Sequence, residues 1–384
     1  MMMGTLFPWR VKILDSKFYK RLCFFITLFS FGLSFSLMGQ EHGKKKVNLN
    51  DQIKTIKKDI DKSNVEKMLR AFVAGSAPNR APGSPGYEKA IQWIKNEVPS
   101  ITEVAFSPDI DWAKGIYQKD LEQKVKPDHP QYLEYKKYTT EVLNLLESYR
   151  AAKGKNLIWR KSPIGSNSVD MKSAILVVAH FDAMAMSKKP LSLTPTAMAP
   201  GSDKNASGVV AAIHLIRALE KIDLKKEVVV VFTDMHELGY LGAKSLQLDP
   251  LIQNVEVVLN LVMLGQDTKF LDKTKSYYNY KLYLSKPNSP QAEKETALAK
   301  NFIDMGKKYA NNPLKLALDQ TGVELGDSYP FIEANIPVLT ISSDGENDPN
   351  TKIHTADDFP ETINFTSLTY AIEFIVSGIV PMLW

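Results

Sequence analysis

The chain has 384 residues, 44% hydrophobic and 24% charged, with a formal charge of +5; that is enough apolar material for one sizeable core and excludes a disordered or fibrous protein. The single cysteine, Cys23, excludes an intramolecular disulfide and a multi-thiolate metal centre, so any metal must rest on His, Asp and Glu. The basic excess lies at the N-terminus: residues 1–39 hold five Lys or Arg and one Asp, and the remainder carries 43 basic against 42 acidic residues, a balance that implies no nucleic-acid partner.

In chain order, Arg10, Lys12, Lys17, Lys20 and Arg21 precede an uncharged run from Leu22 to Met38. Residues 1–39 read as a secretory leader, which implies a secreted or periplasmic protein; the alternative is a membrane anchor formed by the uncleaved leader. Cys23 starts the apolar run rather than ending it, so it reads as a small apolar residue and not as a lipid-attachment site. Residues 40–51 form a linker in which Lys44 to Lys46 is a solvated basic run. One α/β domain is expected over 52–384. Apolar residues at Ile53, Ile56, Ile60, Val65, Met68, Leu69 and Phe72 predict a helix, and "APNRAPGSPG" predicts a turn before another from about Tyr87. Residues 108–160, rich in Lys, Tyr and Glu, read as a helical insertion that caps a cleft or decorates an edge.

The rhythm then changes. "SAILVVAH" (173–180), "EVVVVFTD" (227–234), "NVEVVLNLVML" (254–264) and "IPVLTIS" (336–342) are short β-branched runs, separated by helical stretches over 206–221 and 290–311. Such alternation predicts an α/β fold whose mostly parallel mixed sheet is flanked by helices on both faces. Ligands of such sheets bind beyond the carboxyl ends of the strands.

The chemistry-bearing residues fall there. His180 ends the first run with Asp182 close behind, a metal ligand with its orienting carboxylate or a hydrogen-bonded structural histidine. "PGSDKNASGVV" opens a helix that Asp203 or Asn205 could cap. His236 and Glu237 follow the next run, and His354 sits in a turn near the C-terminus. Asp327 and Asp358 orient a ligand or His354, or simply form turns. Tyr240, Tyr329 and Phe331 line a pocket or belong to the core.

Taken together, "AHFD", "GSDKNASGV", "HELGYLGAKS", "LNLVMLG", "GDSYPFIEANIPVL" and "IHTADD" resemble, in order and spacing, the co-catalytic zinc aminopeptidase family, which also contains glutaminyl cyclases, glutamate carboxypeptidase II and the transferrin receptor ectodomain. The resemblance covers about residues 80–384 apart from the insertion. It implies two zinc ions: one on the strand-end histidine, a bridging aspartate and a second aspartate, the other on the same bridging aspartate, a glutamate and the C-terminal histidine. A further glutamate serves as general base. By this resemblance His180, Glu237 and His354 retain ligand positions, while the bridging aspartate is Lys204, the general base is His236 and the second aspartate is Val262.

Catalytic zinc sites ordinarily use three protein ligands, so neither site is complete. The expectation is that the Lys204 ammonium replaces the cations, paired with Asp203, Glu237 and the imidazoles, and that Val262 is apolar because a carboxylate without its cation is expensive to bury. The protein then binds a peptide or protein ligand without ordinary di-zinc peptidase activity and holds no metal. The alternative is a hydrolase or cyclase with a single zinc on His236, Glu237 and His354.

Overall fold

Asp61 breaks the first helical periodicity in two. In the computed structural model α1 (Leu49–Lys57) buries Ile53 and Ile56, and α2 (Lys62–Gly75) begins where the Asp61 carboxylate accepts from Asn64 N at 3.0 Å, so the single helix expected over 52–72 is split. The structure describes residues 48–124, 126–163, 174–188, 191–249, 254–267, 279–321 and 326–384. The expected leader and most of the linker lie outside them. Leu49–Trp384 forms one compact unit.

Next come α3 (Pro85–Glu97), capped by Ser84 Oγ, and β1 (Thr102–Phe106). Then follow α4 (Ile110–Lys124), α5 (Tyr132–Ser148) and β2 (Gly154–Lys161). The insertion expected over 108–160 is therefore helical only to Ser148. Gly154–Lys161 is a sheet strand, antiparallel both to β1 and to the Glu227–Thr233 strand. Its Leu157, Ile158 and Trp159 are all buried, and such an apolar triple cannot be told from a helical segment by periodicity.

The chain continues through β3 (Ala174–His180), the hairpin β4 (Ala185–Lys188) and β5 (Leu191–Thr194), α6 (Ser207–Glu220), β6 (Glu227–Thr233), α7 (Leu241–Leu246), β7 (Val255–Leu261), β8 (Tyr280–Tyr283), α8 (Ala292–Ala310), β9 (Leu316–Asp319), α9 (Ser328–Glu333), β10 (Val338–Ser343) and α10 (Phe365–Leu383). Eight strands form one mixed sheet in the order β1-β2-β6-β3-β7-β10-β8-β9. The central four, β6, β3, β7 and β10, are mutually parallel. Alternate residues of these strands serve opposite faces. Val177, Val230 and Leu259 join the large core under α2, α3, α6, α8 and α10, while Leu176, Val178, Val229 and Val231 pack with Ala243 of α7 and Phe331 of α9. The fold is thus α/β with helices on both faces. α10 is long and apolar enough to cross a membrane, but 72% of its apolar window is buried, and it packs against α8 and α6 as a core helix.

Because four strands point the same way, His180, Thr233, Leu261 and Ser343 end along one edge of the sheet. α4 and α5 cover part of that edge. Ile110, Ala113, Val142 and Leu146 pack with Met184, Met235, Leu238 and Leu241, and Tyr117 Oη donates to Glu237 O at 3.3 Å. The helical pair caps the crevice.

Candidate functional site

Two turns build the site, and each is held by a buried carboxylate that binds main chain. The first, Ser202–Ala206, is a π-type turn leading into α6, with a cis peptide between Lys204 and Asn205. Gly201 before it has φ +59°, and a Cβ there would meet Lys204 O at 2.4 Å, so the chain needs glycine. Asp358 accepts from Asp203 N at 3.0 Å and Lys204 N at 3.1 Å. The sequence reading gave Asp358 to a ligand, to His354 or to a turn; its carboxylate bonds the backbone of this turn. Arg80, fully buried, donates to Phe181 O, Pro200 O and Gly201 O at 2.7, 2.6 and 2.9 Å and lies over the Phe72 ring. Burial lowers its pKa to about 10, against the pull of Asp358, Asp182 and Glu237.

The second turn follows β6. Asp182 accepts from His236 N at 3.1 Å and Glu237 N at 3.0 Å. It also stands 3.5 Å from His180 Nδ1, while its own carbonyl lies 3.0 Å from the same nitrogen. Burial would raise the Asp182 pKa, but the neighbouring His180, His236 and Glu237 N–H outweigh it and hold it below the usual value. Asp182 therefore stands against His180 through its carbonyl and, at longer range, its carboxylate, and fixes the second turn as well.

Between the turns lies the chemistry. Lys204 Nζ is 2.8 Å from His236 Nε2, and His236 Nδ1 is 2.9 Å from Asp327 Oδ1; the other Asp327 oxygen accepts from Thr233 Oγ1. The His236 ring stacks on His180 with centroids 3.6 Å apart, and Tyr240 meets its edge. Burial, then the nearby His180 and Lys204, push the His236 pKa far down, so the imidazole is neutral, donating from Nδ1 and accepting at Nε2. Burial raises Asp327 to about 6. Asp327 thus orients His236, a partner that the sequence reading did not name.

Of the expected partners of the ammonium, the imidazole is found in His236, and the two carboxylates are corrected. Among the described residues no carboxylate lies within 4 Å of Lys204 Nζ. Asp203 turns away: Oδ1 accepts from Gly265 N at 2.7 Å and Oδ2 from Asn350 Nδ2 at 2.8 Å. Burial, followed by Asp358, raises its pKa to about 6. Glu237 feels Lys204 only at longer range; burial lifts it to about 7 despite Lys204 and His180. Its Oε2 is 3.6 Å from His354 Nδ1, which also lies 3.2 Å from Met184 O. Among the described residues Glu237 Oε1 and His180 Nε2, and Ser202 Oγ in the lysine turn, are buried without hydrogen-bond partners.

Val262 is 1% exposed, its N–H bonded to Ile341 O. Beyond it, Met263 N and Leu264 N donate to Asn205 Oδ1 and Ser207 Oγ, binding this loop to the lysine turn. Phe331 is core; Tyr329 packs beside Trp112. Beside Asp203 opens a cavity of about 540 Å³ whose walls include Met263, Tyr283, Asp348, Asn350 and Ile353. Sequence reading gave no role to Arg80, at the start of the stretch that carries the resemblance, or to Thr233 and Tyr117, whose roles depend on tertiary contacts.

The donor set does not fit the zinc pair. Among the described residues no three His, Cys, Asp or Glu side chains gather closely enough to hold a metal ion. In this arrangement both nitrogens of His236 are engaged, one by Lys204 and the other by Asp327.

A family model described as peptidase family M28 matches residues 160–378, a span that contains the ten site residues of the sequence reading. Among solved structures, the chain is similar to the LapA aminopeptidase of Legionella pneumophila, at 14% identity over 90% of this chain and 78% of that one, with TM-score 0.58. A leucine aminopeptidase precursor from Bacteroides thetaiotaomicron matches at 14% identity over 84% and 97%, TM-score 0.56. Porphyromonas gingivalis glutaminyl cyclase matches at 16% identity over 84% and 99%, TM-score 0.56. No curated protein matches the sequence.

Proposed function

The chain belongs to peptidase family M28, and from that premise we propose that it is a secreted, ligand-binding member without di-zinc peptidase chemistry, in which the Lys204 ammonium replaces the metal pair. The observation that carries this reading is the Lys204–His236–Asp327 chain of contacts, 2.8 and 2.9 Å long, in the crevice where the family resemblance places both metals. An ammonium about 4 Å from Zn²⁺ repels it by roughly 8 kcal/mol at an effective dielectric near 20. The same ammonium bonds a neutral imidazole, and its charge favours the ionised forms of Glu237 and Asp327. Val262 fits, since an apolar side chain there leaves no uncompensated carboxylate.

His236 at the general-base position is held by Asp327 and already accepts from Lys204, and its depressed pKa makes it a poor proton acceptor. The cavity beside Asp203 supports retained binding of a peptide or protein segment. The test is metal content and hydrolysis of unblocked peptides, measured for wild type and for the triple variant Lys204→Asp, His236→Glu, Val262→Asp. Wild type is expected to hold no stoichiometric zinc and to turn over nothing, while the variant recovers zinc. Stoichiometric zinc with turnover in wild type would overturn the reading.

A further inference from the structure

Where α1 meets the last turn of α8 and the first half of α10, an open cavity of about 570 Å³ indents the surface, and none of the strand-end residues lines it. Its charged lining is one-sided: Lys54, Lys57 and Lys308 stand against a single carboxylate, Glu373, a surplus of two positive charges. Lys54 and Lys308 are exposed, and among the described residues neither has an ion-pair partner; Lys308 lies over the Tyr309 ring, 4.7 Å from its centroid.

The groups that would repel an anion are engaged. Lys57 Nζ donates to Tyr309 O at 2.9 Å and to Ala310 O, so it covers the carbonyl end of α8, the negative end of the helix. Glu373 accepts from Asn312 Nδ2 at 3.0 Å. Like charges gathered in a concave wall repel one another and focus a positive field, and a bound anion relieves both. The surplus matches a phosphate monoester, which carries about two negative charges at neutral pH, and lysine binds phosphate as a point charge without the planar fork of arginine. Tyr309 and Pro313 add an apolar wall for the body that the phosphate carries.

We propose that this cavity is a second binding site, for a phosphate monoester whose phosphate is held by Lys54 and Lys308 and whose organic body lies against Tyr309 and Pro313. The volume lies within the ordinary range for small-molecule pockets. The site is independent of the strand-end centre and of what that centre does.

The test titrates the full chain by calorimetry with phenyl phosphate and, separately, with phenol, which lacks only the phosphate. One saturable phenyl phosphate site is expected, with inorganic phosphate displacing the ester and phenol binding more weakly by about tenfold or more. The double variant Lys54→Gln, Lys308→Gln replaces two exposed side chains and leaves the core untouched; it should bind the ester about tenfold more weakly, the worth of two exposed charge pairs. Lys136→Gln, at an exposed lysine of α5, should bind like wild type. Vesicles containing phosphatidic acid, set beside pure phosphatidylcholine vesicles, identify the source. Recruitment to the former that is lost in the double variant assigns a lipid headgroup, and ester binding without such recruitment assigns a soluble phosphate. No saturable binding of phenyl phosphate, an unchanged affinity in the double variant, or an equal loss in Lys136→Gln would overturn the proposal.

Discussion

The polar residues at the strand ends divide into a frame and a centre. Asp182, Asp358 and Arg80 commit most of their hydrogen bonds to main chain: two N–H groups of the His236 turn, two of the Lys204 turn, and three carbonyls between them. Lys204, His236 and Asp327 instead bond chiefly to one another's side chains. The frame fixes where the two turns stand whatever lies between them; the centre decides only what occupies the gap. Three reactive positions can therefore change together while the crevice keeps its shape.

Removing a frame residue should have the largest effect. Asp358→Ala leaves the N–H groups of Asp203 and Lys204 buried without their acceptor, and at about 1–3 kcal/mol each the protein should lose roughly 3–5 kcal/mol of stability in urea unfolding. A loss below about 1 kcal/mol would show that the turn holds itself. Next comes the middle of the centre. His236→Phe keeps a ring against His180 but deprives both Lys204 and Asp327 of a partner, with an expected cost of about 2–3 kcal/mol by the same measurement.

Frame and centre differ as much in how the sequence reveals them. β3, β6, β7 and β10 are legible because strands buried on both faces read as short runs rich in Val, Leu and Ile. β1 has no buried residue, and β2 follows two helices directly, so their pairing at the sheet edge stays hidden. The motifs locate His180, Glu237 and His354, yet the contact between Lys204 and His236 spans 32 residues and exists only because β3 and β6 lie in a register that sets His180 beside Thr233. Charge suggested Asp203 and Glu237, beside the imidazoles, as the lysine's partners, and for Asp203 that carboxylate contact is absent because Gly265 and Asn350 already hold it. Arg80 carries no local signature, since an arginine that donates to three carbonyls looks in sequence like any arginine in a turn.

Asp203 tests the border between the two sets through pH. Its pKa in the fold is about 6, against 3.8 for an unperturbed aspartate, because of burial and then Asp358. The folded chain holds this proton more tightly than the unfolded one, so the contribution to stability is complete below pH 4 and is lost as pH rises through 6. Asp203→Asn keeps an oxygen for Gly265 N but cannot ionise. Between pH 4 and 7 the wild type should lose about 2 kcal/mol more than the variant, read from urea unfolding at each pH. Parallel curves would mean that Asp203 ionises as easily in the fold as out of it.

The smallest effect separates the two sets most sharply. Lys204→Met keeps the length of the side chain and removes its charge. The Nζ bond to His236 is lost, but so is the cost of burying an ammonium, and the two terms oppose each other. What remains is the charge that Lys204 lends to Glu237 and Asp327, whose pKa values of about 7 and 6 it holds down against burial. Without it both carboxyls titrate higher. Near pH 5 they are largely protonated in either protein, so the variant should match wild type; near pH 8 they must ionise without their cation, and it should be less stable by about 1 kcal/mol. A penalty equal to that of Asp358→Ala at every pH would place Lys204 in the frame, because a side chain that only answers the charge around it cannot matter where that charge has been titrated away.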